Sequence, residues 1–261
     1  MRKHRLALIG CGRLSTVVGN ALKDGLLPEY ELVGVLGKNQ ERAISFAEQF
    51  NCKACTDIDE LLDLKPDFTA EAASVQAVRE YSEAILKAGS DFIVLSIGAF
   101  ADEAFYEKTK KLAFENERKV YLANGAIGGF DIIRTAALMN DITSSIVVKK
   151  EPHSFAHTAI YKEGLESITE KELLFSGNTK EAIALLPNHV NISVALALAS
   201  TGPENTKIDI EAVPGIAREK FIIDVKGEKI DVALSVAAKS SHIAGWSVVA
   251  VLQNIVSPIV F

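Results

Sequence analysis

The stretch Arg5-Leu-Ala-Leu-Ile-Gly-Cys-Gly-Arg-Leu-Ser-Thr-Val-Val-Gly-Asn-Ala-Leu-Lys23 constrains the fold more than any other. A short apolar run ends in Gly-x-Gly, and a one-sided helical stripe of Leu14, Val17, Val18, Ala21 and Leu22 begins at once. Apolar residues at i, i+3, i+4, i+7 and i+8 give a helix with one buried face. A strand over Arg5–Gly10 is thus predicted to turn sharply into a helix over Arg13–Lys23. The rhythm then repeats. Strands are expected at Glu31–Leu36, Phe68–Ala73, Phe92–Ile97 and Lys119–Ala123. Helices are expected at Glu41–Phe50, stopping at Asn51, and at Asp57–Leu64, opened by a capping box of Thr56 and Asp59. A further helix over Val75–Lys87 is capped by Ser74 and ended by Gly89, and another opens at Asp102.

Consecutive apolar residues in strands joined by helices imply a parallel sheet covered on both faces. The fold class is α/β, a Rossmann-type doubly wound parallel sheet, followed by a second α+β domain. Gly10, Gly37, Ser74, Gly98 and Gly125 all fall at the carboxyl ends of strands, where ligands of such sheets gather. The second half changes rhythm. Strands are expected at Ile146–Lys150, Ile208–Ala212, Phe221–Val225 and Lys229–Val236, the last two as a hairpin around Gly227-Glu228. Helices are expected at Lys180–Ala199, broken or kinked by Pro187, and at Ser241–Ile255. The domains are read as 1–130, dinucleotide-binding, and 131–261, for substrate and dimerisation, with the C-terminal helix able to pack back on the first. The apolar tail from Ile255, interrupted by Pro258, reads as a strand or a docked end.

Composition narrows the function. Among 261 residues, 48% are hydrophobic and 24% charged, with net charge −6, which suits a globular enzyme and gives no basic face for nucleic acid. No run approaches the roughly 20 apolar residues of a membrane helix. The apolar run Leu6–Ile9 is too short for a secretory leader. The three cysteines, Cys11, Cys52 and Cys55, include one lone C-x-x-C without a second pair, so no metal is expected and a reducing cytoplasm is. His153 and His157 stand four apart without an acidic partner motif and are not read as metal ligands.

The Gly-x-Gly turn suggests a dinucleotide site. Gly10 permits the turn, Gly12 lets the backbone approach a pyrophosphate, and Arg13, Leu14 and Ser15 form the helix N-terminus on which it rests. Ser15 replaces the third glycine, whose main purpose is close helix–strand packing, and one small side chain is tolerated there. After the second strand, Leu36-Gly37-Lys38-Asn39 carries no acid to grip a ribose 2′-hydroxyl. Lys38 and Arg13 instead suit a 2′-phosphate, so NADP is favoured over NAD.

Four segments carry a family resemblance: Glu71-Ala-Ala-Ser74, LSIGAFAD at 95–102, ANGAIGGFD at 123–131 and LLFSGNTKEAIALLPNHVNISVALALA at 173–199. With them the chain resembles the L-aspartate dehydrogenases along almost its whole length. The resemblance implies a homodimer that oxidises L-aspartate with NAD(P), giving iminosuccinate that feeds NAD biosynthesis or hydrolyses to oxaloacetate. It carries Gly10, Gly12, Ala126 and Asn191 over as cofactor-site residues, and Ser74, at the carboxyl end of its strand, is read as one beside them. His189 stands where the family has a cofactor-contacting asparagine, and Lys239-Ser240-Ser241 resembles the family's Lys-Thr-Ser. The segment from Val213 departs from the pattern: counting seven from Pro214 to the family's catalytic histidine reaches Phe221, which cannot move a proton. His189 is then either a replacement base or a hydrogen-bonding partner of the nicotinamide amide, and His242 is a weaker candidate. Lys239 and Lys150 are candidates to hold the carboxylates of a dicarboxylate or amino-acid substrate, or are surface lysines.

Overall fold

A computed structural model of the chain describes residues 2–186 and 190–260. They form two compact units, one of residues 1–125 with 242–261 and one of residues 126–241. The division falls after Gly125 rather than after Phe130, and the C-terminal helix belongs to the first unit.

The first unit contains β1 (His4–Ile9), α1 (Arg13–Lys23), β2 (Tyr30–Leu36), α2 (Gln40–Phe50), β3 (Lys53–Cys55), α3 (Ile58–Leu62), β4 (Phe68–Glu71), α4 (Val75–Lys87), β5 (Asp91–Val94), α5 (Glu103–Glu115) and β6 (Val120–Leu122). Its strands pair in the order β3-β2-β1-β4-β5-β6, all parallel. The order reverses between β1 and β4, which places a crevice beyond their carboxyl ends. Leu6–Ile9 of β1 lie in register with Phe68–Glu71 of β4. The helices cover a core of Leu6, Leu8, Val18, Val35, Phe46, Ala70 and Ile93.

Local chemistry sets most of the helix ends. Asn39 caps α2 by accepting from the Arg42 N–H, and α2 stops at Asn51 in the left-handed conformation, φ 52°. Ser74 caps α4 and Asp102 caps α5. The cap of α3 is one residue later than expected. The Asp57 side chain accepts from the Glu60 N–H, and Glu60 reaches back to the Thr56 N–H. Asp is at least as strong an N-cap as Thr, and Glu60 at N3 fastens the N–H of Thr56 just before the cap.

The strand expected over Phe92–Ile97 is shorter. It ends at Val94, and Ile97–Ala101 form a tight 3₁₀ turn, all buried. Apolar composition alone could not tell these apart.

The second unit contains α6 (Phe130–Met139), β7 (Ile142–Lys150), β8 (Glu172–Asn178), α7 (Thr179–Leu185), α8 (Asn191–Ala199), β9 (Thr206–Ala212), β10 (Glu219–Gly227) and β11 (Asp231–Ala238). Its strands pair in the order β11-β10-β7-β9-β8, and only β7 with β9 is parallel. Ile146, Val148, Ile208, Ile210, Phe221, Ile223 and Val225 point from alternate positions into one core with Ile133, Ala136 and Leu196. The expected helix over Lys180–Ala199 is two helices, α7 and α8, and Pro187 between them lies outside the described residues.

α9 (Ile243–Val256) closes the chain and packs in the first unit. Val248, Val249 and Leu252 enter that core, and the buried Tyr30 hydroxyl donates to the Leu252 carbonyl at 2.8 Å. Beyond α9 the tail forms no strand through residue 260. Among the described residues no helix is long and apolar enough to cross a membrane.

Candidate dinucleotide site

The turn from β1 to α1 lies at the reversal of strand order. Gly10 has φ +104°, a conformation that L side chains rarely adopt, and its amide donates to the Leu36 carbonyl at 2.7 Å. A Cβ there would sit 2.7 Å from the Ala72 carbonyl oxygen and 3.2 Å from the Ala73 Cβ. The turn after β4 therefore rests directly on Gly10. Gly12 has the opposite surroundings: a Cβ there would meet nothing within 4 Å. Gly12 is the N-cap of α1, so no side chain caps this helix, and its first turn carries no acid. The following helices α2, α3, α4 and α5 are each capped by a side chain. The first amides of a helix need acceptors, and the helix dipole favours an anion there. An open glycine, an uncapped helix and the strand-order reversal fit a pyrophosphate cradle.

The other first-unit residues singled out in the sequence surround this turn. Arg13 and Leu14 open α1, and Arg13 is exposed. Ser15 is fully buried, and its hydroxyl has no hydrogen-bond partner among the described residues. A hydroxyl thus fits where the fingerprint has glycine, but unsatisfied. Lys38 and Asn39 follow β2. Lys38 is exposed, and neither it nor Arg13 forms an ion pair among the described residues. Arg42, in the first turn of α2, adds a third exposed cation that sequence reading had not singled out. Ser74 accepts from the Ala77 N–H at 3.2 Å as the cap of α4.

A residue missed as functional lies beneath these turns. Glu71 ends β4 and is completely buried. Its Oε1 accepts from the Ala73 N–H at 2.7 Å, the Ser74 N–H at 2.8 Å and the Ser96 hydroxyl at 2.8 Å. Its Oε2 accepts from the Ser96 N–H at 2.9 Å and the Leu95 N–H at 3.3 Å. Burial pushes its carboxyl above the usual range, and the donors of Ser96, Ala73 and Ser74 pull the other way. The sequence signals it in two ways: an acid closes the strand FTAE, and Glu71 opens the Glu71-Ala-Ala-Ser74 segment of the family resemblance.

The remaining candidates belong to the second unit. Ala126 begins it, Asn191 is the first residue of α8, and Lys239 is exposed just past β11. His189 lies outside the described residues. Phe221 is 2% exposed and sits on β10 opposite Val148 of β7, within the core. Lys150 is not a free cation: its Nζ lies 3.4 Å from Glu219 Oε1. That partner would have to be displaced before Lys150 could hold a carboxylate. Val213 donates its N–H to the Lys150 carbonyl at 2.8 Å. His153, His157 and His242 are exposed, and no cluster of three potential metal ligands occurs among the described residues.

Two family models match the chain. Residues 10–123 match the family model described as the NAD-binding domain of homoserine dehydrogenase, and residues 131–255 match the C-terminal domain of aspartate dehydrogenase. The chain is 32% identical to an L-aspartate dehydrogenase of Methanococcus maripaludis, with 98% of each chain covered. It is 30% identical to one from Methanosarcina barkeri, again over 98% of each. The crystal structure of an aspartate dehydrogenase from Thermotoga maritima shares the fold over the full length of both chains, with TM-score 0.80 at 23% identity. On this full-length likeness, the chain belongs to the L-aspartate dehydrogenase family.

Proposed function

We propose that the chain is an NAD(P)-dependent oxidoreductase of the CH–NH₂ group, with NADP favoured, acting on L-aspartate or a close amino or keto acid. The observation that carries the reading is the uncapped N-terminus of α1 behind an open Gly12. In the family reaction L-aspartate and NAD(P)⁺ give iminosuccinate in its iminium form, NAD(P)H and a proton; water then releases oxaloacetate and ammonium.

A dinucleotide bound there would accept or return the hydride. The chain's own contribution begins with the phosphates: Gly10 and Gly12 admit them, and the first amides of α1 donate to them. Lys38 and Arg13 offer charge to a 2′-phosphate where an acid would repel it. In the second unit, Ala126 and Asn191 supply further cofactor contacts, and Lys239 is the cation for a substrate carboxylate. Removal of the ammonium proton falls to His189 or to a group other than residue 221. We extend the reading to a cytoplasmic homodimer serving NAD biosynthesis.

A second reading is favoured by Phe221. A buried phenyl ring at the position that the resemblance aligns with the family's histidine exchanges no proton. The chain would then reduce a different small keto or imino substrate, or bind the dinucleotide without turnover. NADPH consumption with oxaloacetate and ammonium, beside a panel of keto acids, aldehydes and imines, separates these readings. Turnover with oxaloacetate and ammonium supports the first; turnover elsewhere, or binding alone, replaces it. Lost general acid–base catalysis costs about 10²–10⁴-fold. Phe221→His therefore raises aspartate oxidation if the pocket is otherwise that of the family, and leaves it unchanged if the substrate has changed too.

A further inference from the structure

β4 and β5 both end where the crevice begins, at Glu71 and Val94. Beyond those ends the amides of Ala73, Ser74 and Ser96 donate to one buried carboxylate, that of Glu71, and the Leu95 amide is shared between this carboxylate and the Glu71 backbone carbonyl, 3.3 Å from each. One oxygen serves the turn after β4, and the other serves the turn after β5. The Ser96 hydroxyl adds a donor to the first oxygen, so Ser96 is joined to both. No lysine, arginine or histidine among the described residues forms an ion pair with Glu71. Burying a carboxyl without a counter-ion is costly, and only an array of donors offsets it. An apolar residue at position 71 would leave the amides of Ala73, Ser74 and Ser96 unsatisfied, and a water there would exchange.

The turn so held is the one that touches the phosphate loop. The Ala72 carbonyl and the Ala73 Cβ close the space behind Gly10, and the Ala72 N–H donates to the Ile9 carbonyl at 2.9 Å. The same turn places Ser74 as the cap of α4. We propose that Glu71 is a positioning residue of the cofactor site: by tying the turns after β4 and β5 to one carboxylate, it sets the wall against which the Gly10 turn is shaped. This rests on the dinucleotide reading given above. Glutamine cannot replace it, because its single carbonyl oxygen serves one turn while its amide N–H₂ faces the donors of the other.

The test compares the whole wild-type chain with Glu71→Gln and Ser96→Ala in calorimetric titrations with NADPH, well below each melting point, with circular dichroism to verify folding. The expected result is a Kd about tenfold higher for Glu71→Gln and about threefold higher for Ser96→Ala, which keeps the four backbone donors. A falling melting temperature with Kd values within twofold of wild type would show a role in stability alone and overturn the proposal. If Glu71→Gln does not fold, Ser96→Ala decides by the same criterion. Failure of the wild-type chain itself to bind would overturn the dinucleotide reading and this proposal together, and is thereby told apart from failure of the variants' effect.

Discussion

Alanine at Gly10 and alanine at Gly12 add the same methyl group two residues apart, and the structure predicts opposite consequences. At Gly10 the new Cβ falls 2.7 Å from the Ala72 carbonyl oxygen, on a backbone held at φ +104°. The conformation alone costs a non-glycine residue about 1–3 kcal/mol, and moving the 72–74 turn adds to it. A total of about 2–4 kcal/mol is expected, seen as a clear drop in melting temperature without any cofactor. At Gly12 the Cβ meets no atom within 4 Å, and the backbone is extended at φ −94°, ψ −170°. The cost to the free protein is that of a weaker N-cap, no more than about 1 kcal/mol. The methyl would instead occupy the approach of the pyrophosphate. Losing one hydrogen bond to a charged group costs about 1.5–3 kcal/mol, or about 10- to 150-fold in Kd. Thermal melting of the free proteins and calorimetric titration with NADPH measure both effects. Gly12→Ala with wild-type affinity, or Gly10→Ala with wild-type stability, would refute the reasoning.

Three further outcomes are expected. Lys38→Ala raises the Kd for NADPH by at least about threefold and leaves that for NADH within twofold, since only a 2′-phosphate needs the cation; equal effects on both would remove Lys38 from the site. Tyr30→Phe removes the buried hydrogen bond from the Tyr30 hydroxyl to the Leu252 carbonyl and lowers stability by about 1–2 kcal/mol, read by chemical denaturation. Burial holds both Cys52 and Cys55 up to about 11, so at pH 8 about one thiol in a thousand is thiolate at either position. Iodoacetamide therefore leaves both unlabelled at pH 8, with labelling rising as pH approaches 11; rapid labelling at pH 8 would contradict the burial.

The first unit was largely legible because its parallel strands are short apolar runs bounded by caps that act locally. α1 and α4 begin and end where Gly12, Ser74 and Gly89 place them. The misreadings came where local rules compete. Thr56 and Asp57 are both good caps, and which one wins depends on where Glu60 can reach. α6 follows Gly128-Gly129 without a capping side chain, so nothing local announces it. β8 runs through Ser176-Gly177-Asn178, residues that usually break strands, and is held by its pairing with β9. α9 is too uniformly apolar to declare one buried face, and its place with the first unit comes from distant partners such as Tyr30.

The site divides in the same way. Gly10, Gly12 and the absence of an acid after β2 are local facts that a sequence displays. The carboxylate of Glu71 is not, because its five donors come from two turns more than twenty residues apart in the chain. Nor could spacing alone reveal that Lys150 is already paired with Glu219.

The claim on which all of this depends is that the turn from β1 to α1 receives a nicotinamide dinucleotide. Calorimetric titration of the whole chain with NADPH and with NADH measures it directly. Saturable binding at one site per chain, tighter for NADPH, is the predicted result. Absence of binding by either nucleotide up to millimolar concentration would contradict it.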